Sequence, residues 1–205
     1  CSSEPPQNPE VLKVGLIGPY SDAGKVKGDP PIIQGAIMAV EEINAKGGIP
    51  LKDGKVKVEL LARNNRTQEV DFSLSAAREL INRKGIHALI GPYNSNNAIP
   101  VAELADQSHV PMITPTSTNP KTTQGKTWIF RTCFLDPFQG EAIARFLVKD
   151  LRLSRVGVVF NEANPYSASL ADYVQSALLE RGAKAIMKSF VSGETSFTPL
   201  FQELQ

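Results

Sequence analysis

Short apolar runs alternate along this chain with longer stretches of helical period. Residues 11–17 read as a buried strand closed by Gly18-Pro19. Over 34–46, Ile37, Val40 and Ile43 recur at helical spacing, and Gly47-Gly48 stops the helix. Residues 55–61 alternate charged and apolar positions, as a half-exposed strand does. The pattern then predicts a helix over 69–84 capped by Gly85, a strand over 86–90 ended by Gly91-Pro92, a helix over 97–107 and a strand over 110–113. Residues 127–131 read as a further extended segment. The unit then restarts with helix 139–151, strand 155–160, helix 168–181 capped by Gly182, strand 184–191 and a last helix from about 197.

Strands alternating with helices predict βαβ units: an α/β fold with parallel sheets and helices on both faces. In such sheets ligands bind beyond the carboxyl ends of the strands, near a topological switch point. The loops that follow strands are therefore the ones to inspect: 18–33, 62–68, 91–97, 114–126 and 161–167. The last helix runs to Gln205 without a cap, and the second run of units has two strands, few to enclose a core. The chain is thus expected to be part of a longer protein or to draw its missing partner from elsewhere, with self-association through unfinished sheet edges as one outcome.

Composition narrows the function. The 205 residues carry 22 Lys+Arg against 21 Asp+Glu, with no basic run, so nothing points to nucleic acid. No apolar stretch approaches the ~20 residues of a membrane helix. The chain starts Cys1-Ser2-Ser3-Glu4-Pro5-Pro6-Gln7-Asn8-Pro9. That start predicts a lipoprotein: Cys1 acylated after removal of a signal peptide, followed by a polar leash over 1–10 tying a folded cargo to a membrane. Cys133 is the other cysteine, so no internal disulfide is expected, and an inert buried thiol is its expected role.

Enzymatic signatures fail. Gly18-Pro19-Tyr20-Ser21-Asp22-Ala23-Gly24-Lys25 has one residue too many for a phosphate loop, and Val26 stands where Ser or Thr must hold magnesium. Gly125-Lys126-Thr127 is preceded by Pro120 at the first glycine position. There is no G-x-G-x-x-G, G-x-S-x-G, H-E-x-x-H or C-x-x-C, so no cofactor or metal is expected. His87 and His109 sit beside apolar strands and read as structural.

Two loops carry chemistry suited to a small anion. In Gly91-Pro92-Tyr93-Asn94-Ser95-Asn96-Asn97, Ser95 or one of the Asn residues must cap the next helix, leaving N–H groups and a positive dipole end for a carboxylate. Thr114-Pro115-Thr116-Ser117-Thr118, after the following strand, adds hydroxyls. Capping and turn chemistry explain each loop equally well alone; together, on successive strands, they favour binding.

In order and spacing, several segments resemble the type I periplasmic solute-binding proteins of ABC transporters, the branched-chain amino-acid (Leu/Ile/Val) binding protein-like family. They are Lys13 through Pro19, Gly35-Ala36 with Glu42 through Ile49, Ile90-Gly91-Pro92 with Ser95, Pro111 through Thr118, and Phe130-Arg131-Thr132 with Asp136 and Gln139-Gly140. The resemblance implies a two-lobed, hinged protein that closes on a small ligand, an amino acid or a related amide or carboxylate, and delivers it to membrane permease subunits. It implies lobe 1 over 11–132, a first hinge crossing at 133–137 and the beginning of lobe 2 over 138–205. Ser95, Thr116 and Thr118 would hold the ligand's carboxylate, with Asn94 and Tyr20 beside them, and Tyr166 would cover the ligand from lobe 2. The acid that pairs with the ligand's ammonium in that family falls beyond residue 205.

Two loops depart from the family pattern. Asp22-Ala23-Gly24-Lys25-Val26-Lys27 stands where an aromatic is often offered, and Ala62-Arg63-Asn64-Asn65 where an acidic pair often ends the second strand. Both departures favour a more polar or acidic ligand. Transport and ligand sensing by a receptor or regulator share this fold; the lipoprotein-type start favours transport, and a transmembrane or signalling segment downstream would favour sensing.

Overall fold

The computed structural model describes residues 10–19, 31–65 and 69–204. By their packing they fall into two units, one holding the chain up to Thr116 with Gly125–Thr132, the other Ser117–Gln124 with Cys133 onward. Among the described residues no helix is long and apolar enough to cross a membrane.

The first unit is a six-stranded sheet in the order β2-β3-β1-β4-β5-β6. Its strands are β1 (Val11–Gly18), β2 (Ile49–Leu51), β3 (Gly54–Asn64), β4 (Ala88–Ile90), β5 (Met112–Thr114) and β6 (Ile129–Arg131). All neighbours run parallel except the β2–β3 hairpin, which the periodicity did not announce. β1 pairs β3 on one side, with Val14 opposite Leu60, and β4 on the other, with Gly15 opposite Leu89.

Chain order reverses between β1 and β4, which makes their carboxyl ends the switch point. Gly91 sits there at φ 82°, and a Cβ on it would collide with the Ile17 carbonyl oxygen. Only glycine allows both the left-handed backbone and that approach.

The unit's helices are α1 (Pro31–Ala45), α2 (Val70–Arg78) and α3 (Ser95–Gln107). α2 runs on into a π-helical turn, Glu79–Lys84, closed by left-handed Gly85. α1 is described from Pro31, ahead of its apolar period. The Asn44 side chain then bonds both backbone groups of Val58 at 2.8 Å, fastening α1 to β3.

α2, its π-helical turn and α3 bury Ala76, Ala77, Leu80, Val101 and Ala102 against Ile17, Leu89, Met112 and Ile129. The alanines let α3 lie close to the strands. Leu16 and Ile17 are adjacent and both fully buried, so both faces of β1 are covered, as a central parallel strand requires. β5 begins later than its apolar run because Val110 N–H is taken by the Ala105 carbonyl, closing α3.

The second unit pairs β7 (Arg155–Asn161) with β8 (Lys184–Phe190) in parallel, Gly157 opposite Ile186. Its helices are α4 (Asp136–Arg145), continued by the π-helical turn Phe146–Asp150, then α5 (Pro165–Glu180) and α6 (Thr198–Gln202). Its interior comes from the two longer helices and the residue before β8: Ala144, Val174, Ala177, Leu178 and Ala183. At Gly140, α4 comes so close to α5 that an added Cβ would lie 2.8 Å from the Tyr173 Cβ.

Candidate functional site

In the first unit the loops after β4 and β5 leave the same end of neighbouring parallel strands. Two hydroxyls stitch them together: Thr114 donates to the Pro92 carbonyl (2.8 Å) and Thr116 to the Tyr93 carbonyl (2.7 Å). Asn94, in extended conformation, is the N-cap of α3, its side-chain oxygen accepting from the Asn97 N–H. Ser95 is therefore the first helical residue, and it is 2% exposed. No acidic side chain sits in this first turn, so the positive end of the dipole is unopposed by a neighbouring charge of its own. With its proton given to Tyr93, the Thr116 hydroxyl offers lone pairs, which suit a donor on a ligand better than a carboxylate.

In the second unit the Thr118 carbonyl accepts from the Asp136 N–H (2.9 Å). Among the described residues the buried Thr118 hydroxyl has no hydrogen-bond partner, nor do the two carboxylate oxygens of Asp136, a residue with no exposed surface. A buried carboxylate without a donor costs several kcal/mol, about as much as losing a buried ion-pair partner. Its place in the first turn of α4 recovers part of that through the helix dipole. Asp-Pro before a helical period reads locally as a helix start, so the sequence signal for a site residue was masked by the signal for a boundary.

Tyr166 lies in the first turn of α5. Its N–H is capped by Asn164 (3.0 Å), its hydroxyl accepts from the Gln139 amide at 3.3 Å, and 37% of it stays exposed. Its ring borders an apolar hollow of about 320 Å³ shared with Ile143, Leu147, Val158 and Leu170. Tyr20 and Cys1 lie outside the described residues, as does the loop from Asp22 to Lys27.

The unusual end of β3 is engaged with protein. Arg63 meets Glu79 at 2.7 Å, and that hydrogen bond holds the Glu79 carboxyl below the usual range against a smaller opposing effect of burial. Asn65 is wholly buried and donates to the Ser73 hydroxyl at 3.0 Å. The Lys13 N–H donates to the Nδ1 atom of His87, and His109 stacks edge-on to Trp128. The Cys133 thiol is half-buried, 3.5 Å from the Ser117 carbonyl. Among the described residues no group of three His, Cys, Asp or Glu is placed to hold a metal.

A family profile described as periplasmic binding protein matches residues 11–205. The chain belongs to the periplasmic binding protein family. Within that family it is 34% identical over 191 residues to the Leu/Ile/Val-binding protein BraC3 of Rhizobium johnstonii, an alignment covering 92% of this chain and 50% of the relative. Among solved structures, the leucine-binding protein LivK of Thermotoga maritima superposes with a TM-score of 0.81 at 30% identity, over 94% of this chain and 53% of that one. LivJ of Streptococcus pneumoniae, solved in complex with isoleucine, superposes with a TM-score of 0.78 at 28% identity, over 95% and 53%. This family member thus spans about half the length of the curated relatives it matches, and it carries the type I periplasmic-binding-protein fold expected from its sequence.

Proposed function

We propose that this chain forms the ligand-holding part of an extracytoplasmic solute-binding protein of an ABC importer, with a branched-chain or similar amino acid as its solute. The observation that carries the reading is the orphaned pair in the second unit. A buried hydroxyl able to donate and a buried acid able to accept answer the two charges of an α-amino acid, carboxylate and ammonium. In the first unit, Ser95 at the start of α3 is the candidate for a carboxylate, Asn94 caps that turn, and Thr116 offers lone pairs. Tyr166, exposed on the first turn of α5, serves as the cover. Tyr20 joins the set on sequence alone. The names and bound ligands of the relatives above support this solute class.

The chemistry is binding, not catalysis. Closure over the bound solute is the state an ABC permease would recognise. A lipid on Cys1 would hold the protein at a membrane, and self-association through sheet edges is a second partner mode. Replacement of Cys1 by Ser should move the protein from the membrane to the soluble fraction; an unchanged distribution removes the anchor.

The deciding experiment is a thermal-shift screen of the chain against L-leucine, L-isoleucine, L-valine and their des-amino analogues. Ligand at a hundred times its dissociation constant stabilises by about 2.7 kcal/mol. Amino acids should shift the transition and the des-amino acids should not; a flat screen on folded protein rejects the reading. Ser95→Ala and Thr118→Ala should each weaken binding by roughly 1–3 kcal/mol, the range for hydrogen bonds to a charged group. Unaltered affinity in both would remove the residue assignment.

A further inference from the structure

We propose that Asn119 is a positioning residue: it braces the first turn of α5, and with it Tyr166, to the segment that bears Thr118. The proposal rests on the reading above that Thr118 and Tyr166 meet the solute.

Asn119 is 2% exposed, and the two ends of its amide do different work. The oxygen accepts from the Lys121 N–H at 2.9 Å and caps the short 3-10 turn Pro120–Thr122. The nitrogen donates at 2.9 Å to the carbonyl of Pro165, the first residue of α5, forty-six positions away. The turn is closed on itself by a 2.7 Å bond between the Ser117 and Thr122 hydroxyls, both wholly buried. The Ser117–Thr122 bond and the Asn119 cap make it a firm base.

Two neighbouring residues of one loop therefore clasp two helix starts. The Thr118 carbonyl holds the N–H of Asp136 at the head of α4, and the Asn119 amide holds the head of α5. Asn164 and Gln139 also hold Tyr166, but neither belongs to the Thr118 segment. The Asn119 bond is the one that fixes the height of the Tyr166 turn relative to Thr118. Nothing in a capping role calls for it: an aspartate would cap the 3-10 turn as well. An aspartate has no N–H to give Pro165, and that difference separates brace from cap.

The experiment compares Asn119→Asp, which keeps the cap and loses the brace, with Asn119→Ala, which loses both. L-Leucine is the probe, used on the full chain. Each variant should speed L-leucine release about tenfold, the rate equivalent of one hydrogen bond, with the association rate unaltered. In a Tyr166→Ala background the same substitutions should change release less than about twofold, since their effect runs through that side chain. Faster release in Asn119→Ala alone would make the residue a cap and overturn the brace. So would equal acceleration with and without Tyr166.

Amide exchange of Tyr166 and Ser167 in the ligand-free chain supplies a second readout. Both should exchange faster in either variant, and unchanged exchange rejects the brace whatever the ligand. A wild-type chain that ignores L-leucine rejects the proposed solute, while the exchange comparison still decides the role of Asn119.

Discussion

The two parallel sheets of this protein are built from similar strands and bury them very differently. The last four residues of β1, from Gly15 to Gly18, are buried; no residue of β7 or β8 is. Val156, Val158 and Phe160 are as apolar as Val14, Leu16 and Ile17, so hydrophobicity does not separate them. Neighbours do. β1 has a strand on each side and helices over both faces, whereas β7 pairs with β8 alone. Burial belongs to the surroundings of a strand, and the second unit draws its interior from α4 and α5 instead.

The largest test of that contrast is a pair of truncations. Leu89→Ala in β4 should cost about 2–5 kcal/mol, the range for a buried leucine, and Val158→Ala in β7 about 1 kcal/mol or less. Equal losses in chemical denaturation would break the comparison. Next comes Gly140→Ala, which forces α4 off α5 and should cost about 1–3 kcal/mol. Hydrogen exchange should then quicken through α4 and α5 while β1 and β4 keep their protection; loss of protection in β1 would show that the helices do not hold their unit separately.

Asp136→Asn is a smaller, two-sided test. Replacing an unanswered buried acid by its amide should raise stability by about 1 kcal/mol while weakening L-leucine binding. A variant that gains stability and binds as before would leave Asp136 without a role at the site. The smallest effect belongs to the Arg63–Glu79 pair. The lowered carboxyl means that its contribution is fully present above the unfolded value near 4.5 and is lost as pH falls through the folded one. On this partly exposed pair it should be about 0.5 kcal/mol, so Glu79→Gln should lose about that much stability at pH 7 and converge with the wild type as pH falls through the folded value.

What the sequence disclosed followed from the range of the interactions behind it. Helix and strand periods report local burial, and they located nearly every long element. β2 was invisible because three residues, one of them proline, carry no period. The π-helical ends of α2 and α4 read as plain helix, since one extra residue per turn barely disturbs an apolar stripe. The Asn94 cap and the hydroxyls of Thr114 and Thr116 were legible because strand, loop and helix follow each other directly. Asp136 and Asn119 were not. Locally one is a helix start and the other a turn residue, and their further partners, Thr118 and Pro165, are distant in the chain.

The glycine at the switch point also says where this protein is free to change. Gly91 admits no side chain, for reasons of backbone angle and of the Ile17 oxygen behind it. Four and more places along, Ser95 follows a helix cap made by Asn94, and Thr116 is held by a hydroxyl bond to the Tyr93 carbonyl, with no left-handed backbone at either. In a saturation library over 90–120, Gly91 should therefore return folded protein only as itself, while those two positions, on the proposed assignment, return folded proteins with altered solutes. New specificities would arise by changing what the frame presents, with the frame left as it is.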